Sequence, residues 1–210
     1  MEERSTPQRT LQIVLFEGFE LLDVFGPLEM FGNLGADLRL EMVAARGTVV
    51  SSFQGPRTAL DATFDRAEPT DWLLVPGGFG TREAVNDAAL IGWLRERIPA
   101  AELIMTVCTG TALVARTGLL DQHRATTNKR AFGWVAEQGP AVDWVREARW
   151  VRSGRFATSS GVSAGIDMAL AIVEEFFGAA RAEALRVATE YDWHRDPTWD
   201  PFARLHGLVP

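Results

Sequence analysis

The chain has 210 residues, of which 47% are hydrophobic and 23% charged, an ordinary globular composition that suffices for one well-buried domain. Its formal net charge of −7 gives no general attraction to phosphate groups, so neither nucleic acid nor an anionic membrane is expected as a partner. A single cysteine excludes an intrachain disulfide. The sequence contains no uninterrupted apolar stretch of about 18 residues and no apolar segment near its start, so neither a membrane span nor a signal peptide is predicted. We therefore expect one domain over residues 1–210 of a cytoplasmic protein.

Strands and helices alternate along the first half of the chain. Short apolar runs predict strands, and a Gly-Pro pair at 55–56 indicates the turn of a hairpin or edge pair. Helical spacing of apolar residues predicts a helix over residues 20–34, although Gly26-Pro27 in its middle should break or kink it. A second helix is predicted over residues 81–97. The predicted strands cover residues 11–16, 38–44, 49–52, 58–62, 72–76 and 103–107.

The second half of the chain continues this alternation. Ser163 is expected to cap a helix that Gly178 ends, and a hairpin is expected to turn through Ser153-Gly154. In order, the predicted elements are a short strand at 124–127, a helix at 131–138, a hairpin at 149–159, helices at 164–177 and 179–191, and an irregular aromatic tail at 192–202. The alternation of strands and helices predicts an α/β fold, with one mostly parallel sheet covered by helices on both faces.

The only cysteine lies where a buried strand gives way to a helix. Residues 109–111, Thr-Gly-Thr, carry no bulky side chain, so the chain can turn sharply at Cys108 and enter a helix that runs to about Arg116 and stops at Gly118. This arrangement is similar to the nucleophile elbow of hydrolases, with sulfur in place of oxygen. Because a helix N-terminus favours an anion, we expect Cys108 to be substantially ionised near neutral pH. The alternative is a buried cysteine that acts only as a small hydrophobic residue.

Three turns are expected to meet at the carboxyl edge of the sheet, where ligands of such folds bind: residues 17–23, 76–80 and 108–111. The backbone of Gly77 and Gly78 can approach a ligand closely, and its N–H groups are candidates for binding an anion that develops on a substrate. The alternative is a simple strand-to-helix turn. Asp23 is expected within hydrogen-bond reach of the Cys108 sulfur, where repulsion from a thiolate would keep the carboxyl protonated. Glu20 is expected on a solvated helix face.

With these motifs in place, the chain resembles the DJ-1/PfpI superfamily, and within it the isonitrile hydratase-like branch. The matching motifs occupy residues 16–27, 75–78, 107–110, 118–121, 124–127 and 160–167, in order along most of the chain. The resemblance implies a flavodoxin-like three-layer sandwich that is usually a homodimer, with Cys108 as nucleophile and no cofactor. It also implies that Asp23 serves as acid and base beside the thiol and that Thr109 takes part. Other common members place a glutamate near the cysteine, so Asp23 favours the hydratase branch.

The chain departs from this pattern at Asn128-Lys129, where many relatives of the branch have His-Trp. A histidine partner for Cys108 is therefore missing from this loop, which disfavours peptidase and amidotransferase chemistry, because both need a base to activate the sulfur. The substitution also predicts a different pocket wall. Lys129 is the only lysine in the chain, and we expect it to be a solvated loop residue rather than a positive charge beside the thiolate.

The leading functional hypothesis is a small-molecule enzyme that hydrates an isonitrile, or a similar electrophile, to a formamide. Two alternatives remain open: glyoxalase chemistry on methylglyoxal without glutathione, and a redox-sensing or ligand-binding regulator without turnover. None of the three histidines has metal-ligand spacing with another histidine or with Cys108, so no metal site is predicted. The abundance of aromatic residues, together with the resemblance, predicts a homodimer; the aromatic tail either caps the core or contributes to the interface.

Overall fold

The computed structural model describes residues 8–210, which form an α/β sandwich. The strands are β1 (Arg9–Leu15), β2 (Leu38–Ala44), β3 (Val49–Ser51), β4 (Arg57–Ala59), β5 (Ala62–Thr63), β6 (Trp72–Val75), β7 (Leu103–Val107), β8 (Arg124–Ala125), β9 (Asp143–Trp144), β10 (Trp150–Ser153) and β11 (Phe156–Ser159). The helices are α1 (Leu21–Gly32), α2 (Thr81–Ala84), α3 (Ala88–Arg97), α4 (Gly110–Arg116), α5 (Phe132–Gln138), α6 (Ala164–Phe177), α7 (Ala179–Ala188) and α8 (Pro201–Leu205), with single 3₁₀ turns at Gly35–Asp37 and Ile98–Ala100.

In the described part of the chain, the central sheet has seven strands in the order β10-β11-β7-β6-β1-β2-β5. All neighbouring pairs are parallel except β10 and β11, which form an antiparallel hairpin at one edge. Two apolar cores lie on opposite faces of the sheet: α1, α6 and α7 contribute to one core, and α3, α4 and α5 to the other. The predicted three-layer sandwich with a mostly parallel sheet is confirmed.

Strand β7 shows why the sheet is buried on both faces. Met105 and Val107 belong to the core beneath α1 and α6, whereas Ile104 belongs to the core beneath α4. Successive side chains of a strand point to opposite faces, so an uninterrupted apolar run can serve both cores at once. The strand has the bounds predicted from its sequence, and it delivers the chain to the elbow at Cys108.

Helix α1 runs without a break across Gly26-Pro27, so the predicted break is wrong. A Cβ on Gly26 would lie 2.8 Å from the Ile166 side chain of α6, which means that the absent side chain lets the two helices pack closely. A Cβ on Gly165 would lie 3.2 Å from Pro27 at the same crossing. Packing of α1 on α6 thus offsets the stability that α1 loses because Pro27 cannot donate a backbone hydrogen bond.

The helix predicted over residues 81–97 is two helices, α2 and α3. The Asp87 side chain accepts the backbone N–H groups of Ala89 and Leu90, at 2.9 and 3.3 Å, and so starts α3 anew. The hairpin of β10 and β11 turns through Gly154-Arg155, one residue later than predicted. The last predicted helix ends earlier, at Ala188.

The aromatic tail has two environments. Trp193 is buried in the core beside α6 and α7, whereas Trp199 and Phe202 are about half exposed, at 47% and 45%. The tail includes the short helix α8, which Asp200 caps by accepting the Phe202 N–H at 3.0 Å. Within residues 8–210, none of the helices has both the length and the apolar character needed to cross a membrane.

Candidate active site

Cys108 lies at the apex between β7 and α4 in the left-handed backbone region, with φ of +57°. This conformation is costly for a residue other than glycine and is kept only where neighbouring groups hold it. The Cys108 N–H donates to the carbonyls of Ser159 and Ser160 at 3.2 and 3.1 Å, and the Thr127 hydroxyl donates to the Cys108 carbonyl at 2.7 Å. The predicted strand-to-helix elbow is present.

The three predicted turns meet beside this elbow. The Gly77 N–H donates to Asp23 Oδ2 at 2.8 Å, which ties the turn after β6 to α1. The Glu20 N–H donates to the Gly77 carbonyl at 2.9 Å, and the Gly78 N–H donates to Thr109 Oγ1 at 3.1 Å. Residues far apart in the sequence are therefore joined by direct hydrogen bonds at one edge of the sheet.

The N–H groups of Gly77 and Gly78 donate to two predicted site residues. These groups were expected to face an anion on the substrate. The Gly77 N–H donates a hydrogen bond to Asp23 and the Gly78 N–H donates one to Thr109, because these buried polar side chains need partners. Glycine is required at both positions, because a Cβ on Gly77 would lie 2.5 Å from the Thr109 nitrogen and Gly78 has a φ of +124°. The turn therefore orients the predicted acid and the predicted threonine.

Asp23 is fully buried, with 0% of its surface exposed. Burial raises the pKa of the Asp23 carboxyl well above its usual value, and the Gly77 N–H works in the opposite direction. Within residues 8–210, Oδ1 has no N–H or O–H partner; the charge of Glu20 raises the pKa of this carboxyl further, and the Cys108 thiol lowers it. A carboxyl in this environment retains its proton to higher pH than an ordinary aspartic acid.

The Cys108 thiol is also buried. Burial raises the pKa of Cys108 well above its ordinary value, an ionised Asp23 raises this pKa further, and the Thr109 N–H and the Asn128 amide lower it. This direction is opposite to the one expected from the helix N-terminus alone, because loss of hydration outweighs the field of a seven-residue helix. Two buried anions side by side repel each other, so the pair of Cys108 and Asp23 carries at most one negative charge near neutral pH.

Asn128 belongs to the site, although the sequence indicated only that it stands where many relatives have a histidine. Its side chain lines the same pocket as Cys108 and lowers the pKa of that thiol, while its Oδ1 accepts the Ala131 N–H at 3.0 Å. The available indication was its position directly after Thr127, the residue whose hydroxyl supports the elbow. An amide donor at the sulfur can stabilise negative charge there but cannot act as a general base.

Lys129 is buried, with 3% of its surface exposed, so the expectation of a solvated loop residue is wrong. Its ammonium group donates to Thr126 Oγ1 at 2.7 Å and to the Ala148 carbonyl. Burial lowers the pKa of Lys129 to about 8, and the nearby charges that act on it include Asp200 and Arg149 rather than the thiol. Lys129 thus supports the loop behind the site.

A pocket of about 580 Å³ opens over Cys108 and Thr109. Its volume lies in the range of small-molecule sites. Charged and aromatic side chains surround the thiol: the pocket is also lined by Glu20, Phe79, Arg82, Arg130 and Trp134. In the part of the chain that the structure describes, no cluster of three or more His, Cys, Asp or Glu side chains is arranged to hold a metal ion.

The mostly parallel sheet, its two helical layers and the cysteine at the elbow define a flavodoxin-like α/β protein. The chain belongs to the DJ-1/PfpI family, whose sequence model matches residues 9–175. It is 30% identical to an isonitrile hydratase of Pseudomonas putida over 180 residues, 85% of this chain and 76% of that protein.

Two further similarities indicate the range of the family. A ThiJ/PfpI family protein of Pseudomonas syringae has a crystal structure that superposes with a TM-score of 0.83 at 29% identity, over 92% of this chain and 83% of that one. The HTH-type transcriptional regulator CdhR of Pseudomonas aeruginosa is 29% identical over 169 residues, 79% of this chain but only 50% of the regulator. Family membership therefore leaves the reaction open.

Proposed function

We propose that this protein is a cysteine-dependent hydratase that adds water to an isonitrile, or to a similarly small electrophile, and releases an N-formamide. The observation that carries the proposal is the buried pair of Cys108 and Asp23, of which Cys108 lines a pocket of small-molecule size. Such a pair offers a nucleophile and a proton donor on one substrate atom. The similarity to a hydratase over 85% of this chain supports the same reaction class.

The reactive form of the pair has the negative charge on sulfur and the proton on Asp23. The sulfur attacks the terminal carbon of R–N≡C and forms a C–S bond, while Asp23 gives its proton to that carbon. The product is a thioimidate, S–CH=N–R, beside an aspartate. We propose that the Thr109 hydroxyl, which lies 3.1 Å from the Gly78 nitrogen, takes part in positioning the reacting groups, and that the Asn128 amide supports charge on sulfur.

Water then opens the thioimidate. Its oxygen bonds to the carbon while Asp23 passes a water proton to nitrogen, giving the tetrahedral S–CH(OH)–NH–R. The hydroxyl proton goes to Asp23 as the C–O double bond forms and the C–S bond breaks. The net reaction adds one water to R–N≡C, releases R–NH–CHO and restores both side chains without an oxidant or a cofactor.

The proposal also concerns assembly and compartment. We expect a homodimer with a small-molecule substrate as its partner, in the cytoplasm, where reducing conditions keep the sole thiol free of disulfides. A ligand-binding regulator without turnover is a second candidate, favoured by the similarity to CdhR across half of that regulator. Glyoxalase chemistry is a third, since a cysteine beside an acid can also attack a 2-oxoaldehyde.

Steady-state assays of the wild type, Cys108→Ala and Cys108→Ser against isonitriles and 2-oxoaldehydes test the proposal. We expect the wild type to release formamide from isonitriles and both variants to lose this activity. Turnover of 2-oxoaldehydes alone would favour the glyoxalase alternative. Absence of turnover with both panels would contradict an enzymatic role and favour the regulator.

A further inference from the structure

Two arginines line the pocket over Cys108 without an acidic partner. Neither Arg82 nor Arg130 has a carboxylate oxygen within 4 Å among residues 8–210, and the Arg130 side chain makes no hydrogen bond there either. Among residues 8–210, Glu20 is the one acidic side chain in the lining, and it accepts a hydrogen bond from the side chain of Gln54. In a chain with a net charge of −7, this pocket is locally basic.

Arg82 is held in a defined orientation. Its guanidinium carbon lies 3.9 Å from the centre of the Trp134 ring, and its Nη1 donates to Thr81 Oγ1 at 3.0 Å. Stacking on an aromatic face uses the flat side of the guanidinium and leaves the N–H groups at its edge available to a ligand. Because the side chain is already ordered, binding an anion costs less conformational entropy than it would with a free surface arginine.

Arg82 is also connected to the reacting groups. Thr81 Oγ1, which accepts its hydrogen bond, lies 3.1 Å from Thr109 Oγ1, so a chain of polar atoms runs from the guanidinium to the residue after Cys108. Arg82 and Cys108 line the same pocket; partial burial lowers the pKa of Arg82, and charge on Cys108 acts in the opposite direction. An anion at Arg82 therefore lies in the same pocket as the attacked carbon.

We propose that the substrate carries a carboxylate, or a comparable anionic group, which Arg82 binds with help from Arg130 while the electrophilic carbon meets Cys108. The identity of the electrophile rests on the proposed hydratase function, whereas the anionic group is inferred from the pocket itself. A guanidinium fork matches a carboxylate with two parallel hydrogen bonds, which gives orientation as well as attraction. Arg82 is thus a specificity-determining residue, and Trp134 is a positioning residue that acts through it.

Alkylation of the sole thiol tests this inference without any turnover. Iodoacetate carries a carboxylate and iodoacetamide is its neutral counterpart. Both react with the Cys108 thiolate, so the fraction of thiolate cancels from the ratio of their alkylation rates. We expect this ratio to exceed that of glutathione by about fivefold at low salt, the value that corresponds to about 1 kcal/mol from a partly exposed charge pair. The excess should shrink as salt is added.

Variants identify the source of the preference. Arg82→Gln should lower the ratio toward that of glutathione, Arg82→Gln with Arg130→Gln should remove the excess, and Trp134→Phe should retain more of it than Trp134→Leu. Arg116→Gln is the matched control, because this exposed residue ends α4, has no ion pair within residues 8–210 and does not line the pocket. A wild-type ratio equal to that of glutathione, or an excess that survives in the double variant, would overturn the inference.

A second assay compares isocyanoacetate with its neutral methyl ester. If both proposals hold, the acid has the higher kcat/KM, and Arg82→Gln raises KM for the acid about fivefold and raises KM for the ester by a smaller factor. If neither isonitrile is turned over but the alkylation preference depends on Arg82, the hydratase proposal fails and the anion site stands. If the ester is hydrated as well as the acid and the alkylation preference is absent, the anion site fails and the hydratase stands.

Discussion

Replacing Asp23 with asparagine removes the ionisable proton from the buried pair and leaves the shape of the side chain nearly unchanged. The asparagine Oδ1 can accept the Gly77 N–H that Asp23 Oδ2 accepts at 2.8 Å, so the turn after β6 keeps its anchor. The asparagine amide then occupies the place of Asp23 Oδ1, which has no N–H or O–H partner within residues 8–210. We expect the variant to fold with a loss of about 1–3 kcal/mol for a buried unpaired donor.

The direction of the change follows from the charge that Asp23 imposes on the thiol. Burial raises the pKa of Cys108, and an ionised Asp23 raises it further. Because asparagine carries no charge, the pKa of Cys108 should fall in Asp23→Asn.

Alkylation with iodoacetamide across pH measures the change, since Cys108 is the only thiol in the chain. We expect the wild-type midpoint to lie above the free-thiol value of about 8.5 and the Asp23→Asn midpoint to lie below that of the wild type. Turnover should move the other way, falling by about two orders of magnitude, because asparagine cannot transfer a proton. A lower alkylation midpoint combined with slower turnover would indicate that the variant has lost a general acid.

Asp121→Asn is the matched control, because it removes one carboxylate from an exposed loop after α4. This control should leave both the midpoint and the turnover unchanged. If the wild-type midpoint lies below about 8.5 and Asp23→Asn does not move it, Asp23 holds its proton throughout and the helix N-terminus governs the thiol. If Asp23→Asn keeps wild-type turnover, the pair is not a catalytic unit.

Three further predictions concern the loop behind the site, the space beside the thiol and the assembly. Burial lowers the pKa of Lys129 from 10.5 to about 8. Between these pH values Lys129 is protonated in the unfolded chain but largely neutral in the folded protein. The free energy of unfolding of the wild type should therefore rise with pH across this window, by up to about 3 kcal/mol. Urea titrations at either end of this pH window measure the free energy of unfolding. An equal rise in Lys129→Met would show that Lys129 is not the group responsible. In Gly161→Ala the new Cβ would clash with the Asn128 amide and lie 2.8 Å from the Cys108 sulfur, so alkylation should slow by about tenfold or more, whereas Gly92→Ala, with open space at its Cβ, should react like the wild type. Light scattering at micromolar concentration should give about twice the chain mass of 23.1 kDa, and a mass near one chain would refute the homodimer.

The sequence by itself determined the elements whose pattern is local. The bounds of β7 and α6 match the predictions, because a buried strand and an amphipathic helix each have a period that a short segment displays. The elbow at Cys108 was equally predictable, since Thr-Gly-Thr after an apolar strand leaves room for a sharp turn. The meeting of Asp23 with the turn after β6 followed from the βα alternation, which brings strand ends to one edge.

Only the tertiary structure decided the properties that depend on groups distant in sequence. The continuity of α1 depends on how closely α6 approaches Gly26. The direction of the Cys108 pKa depends on how much water the fold removes from the sulfur, which the adjacent helix N-terminus does not reveal. Likewise, the burial of Lys129 and the stacking of Arg82 on Trp134 join residues from separate loops. Hydration and through-space charge have no sequence period, and they therefore emerge only once the chain is packed.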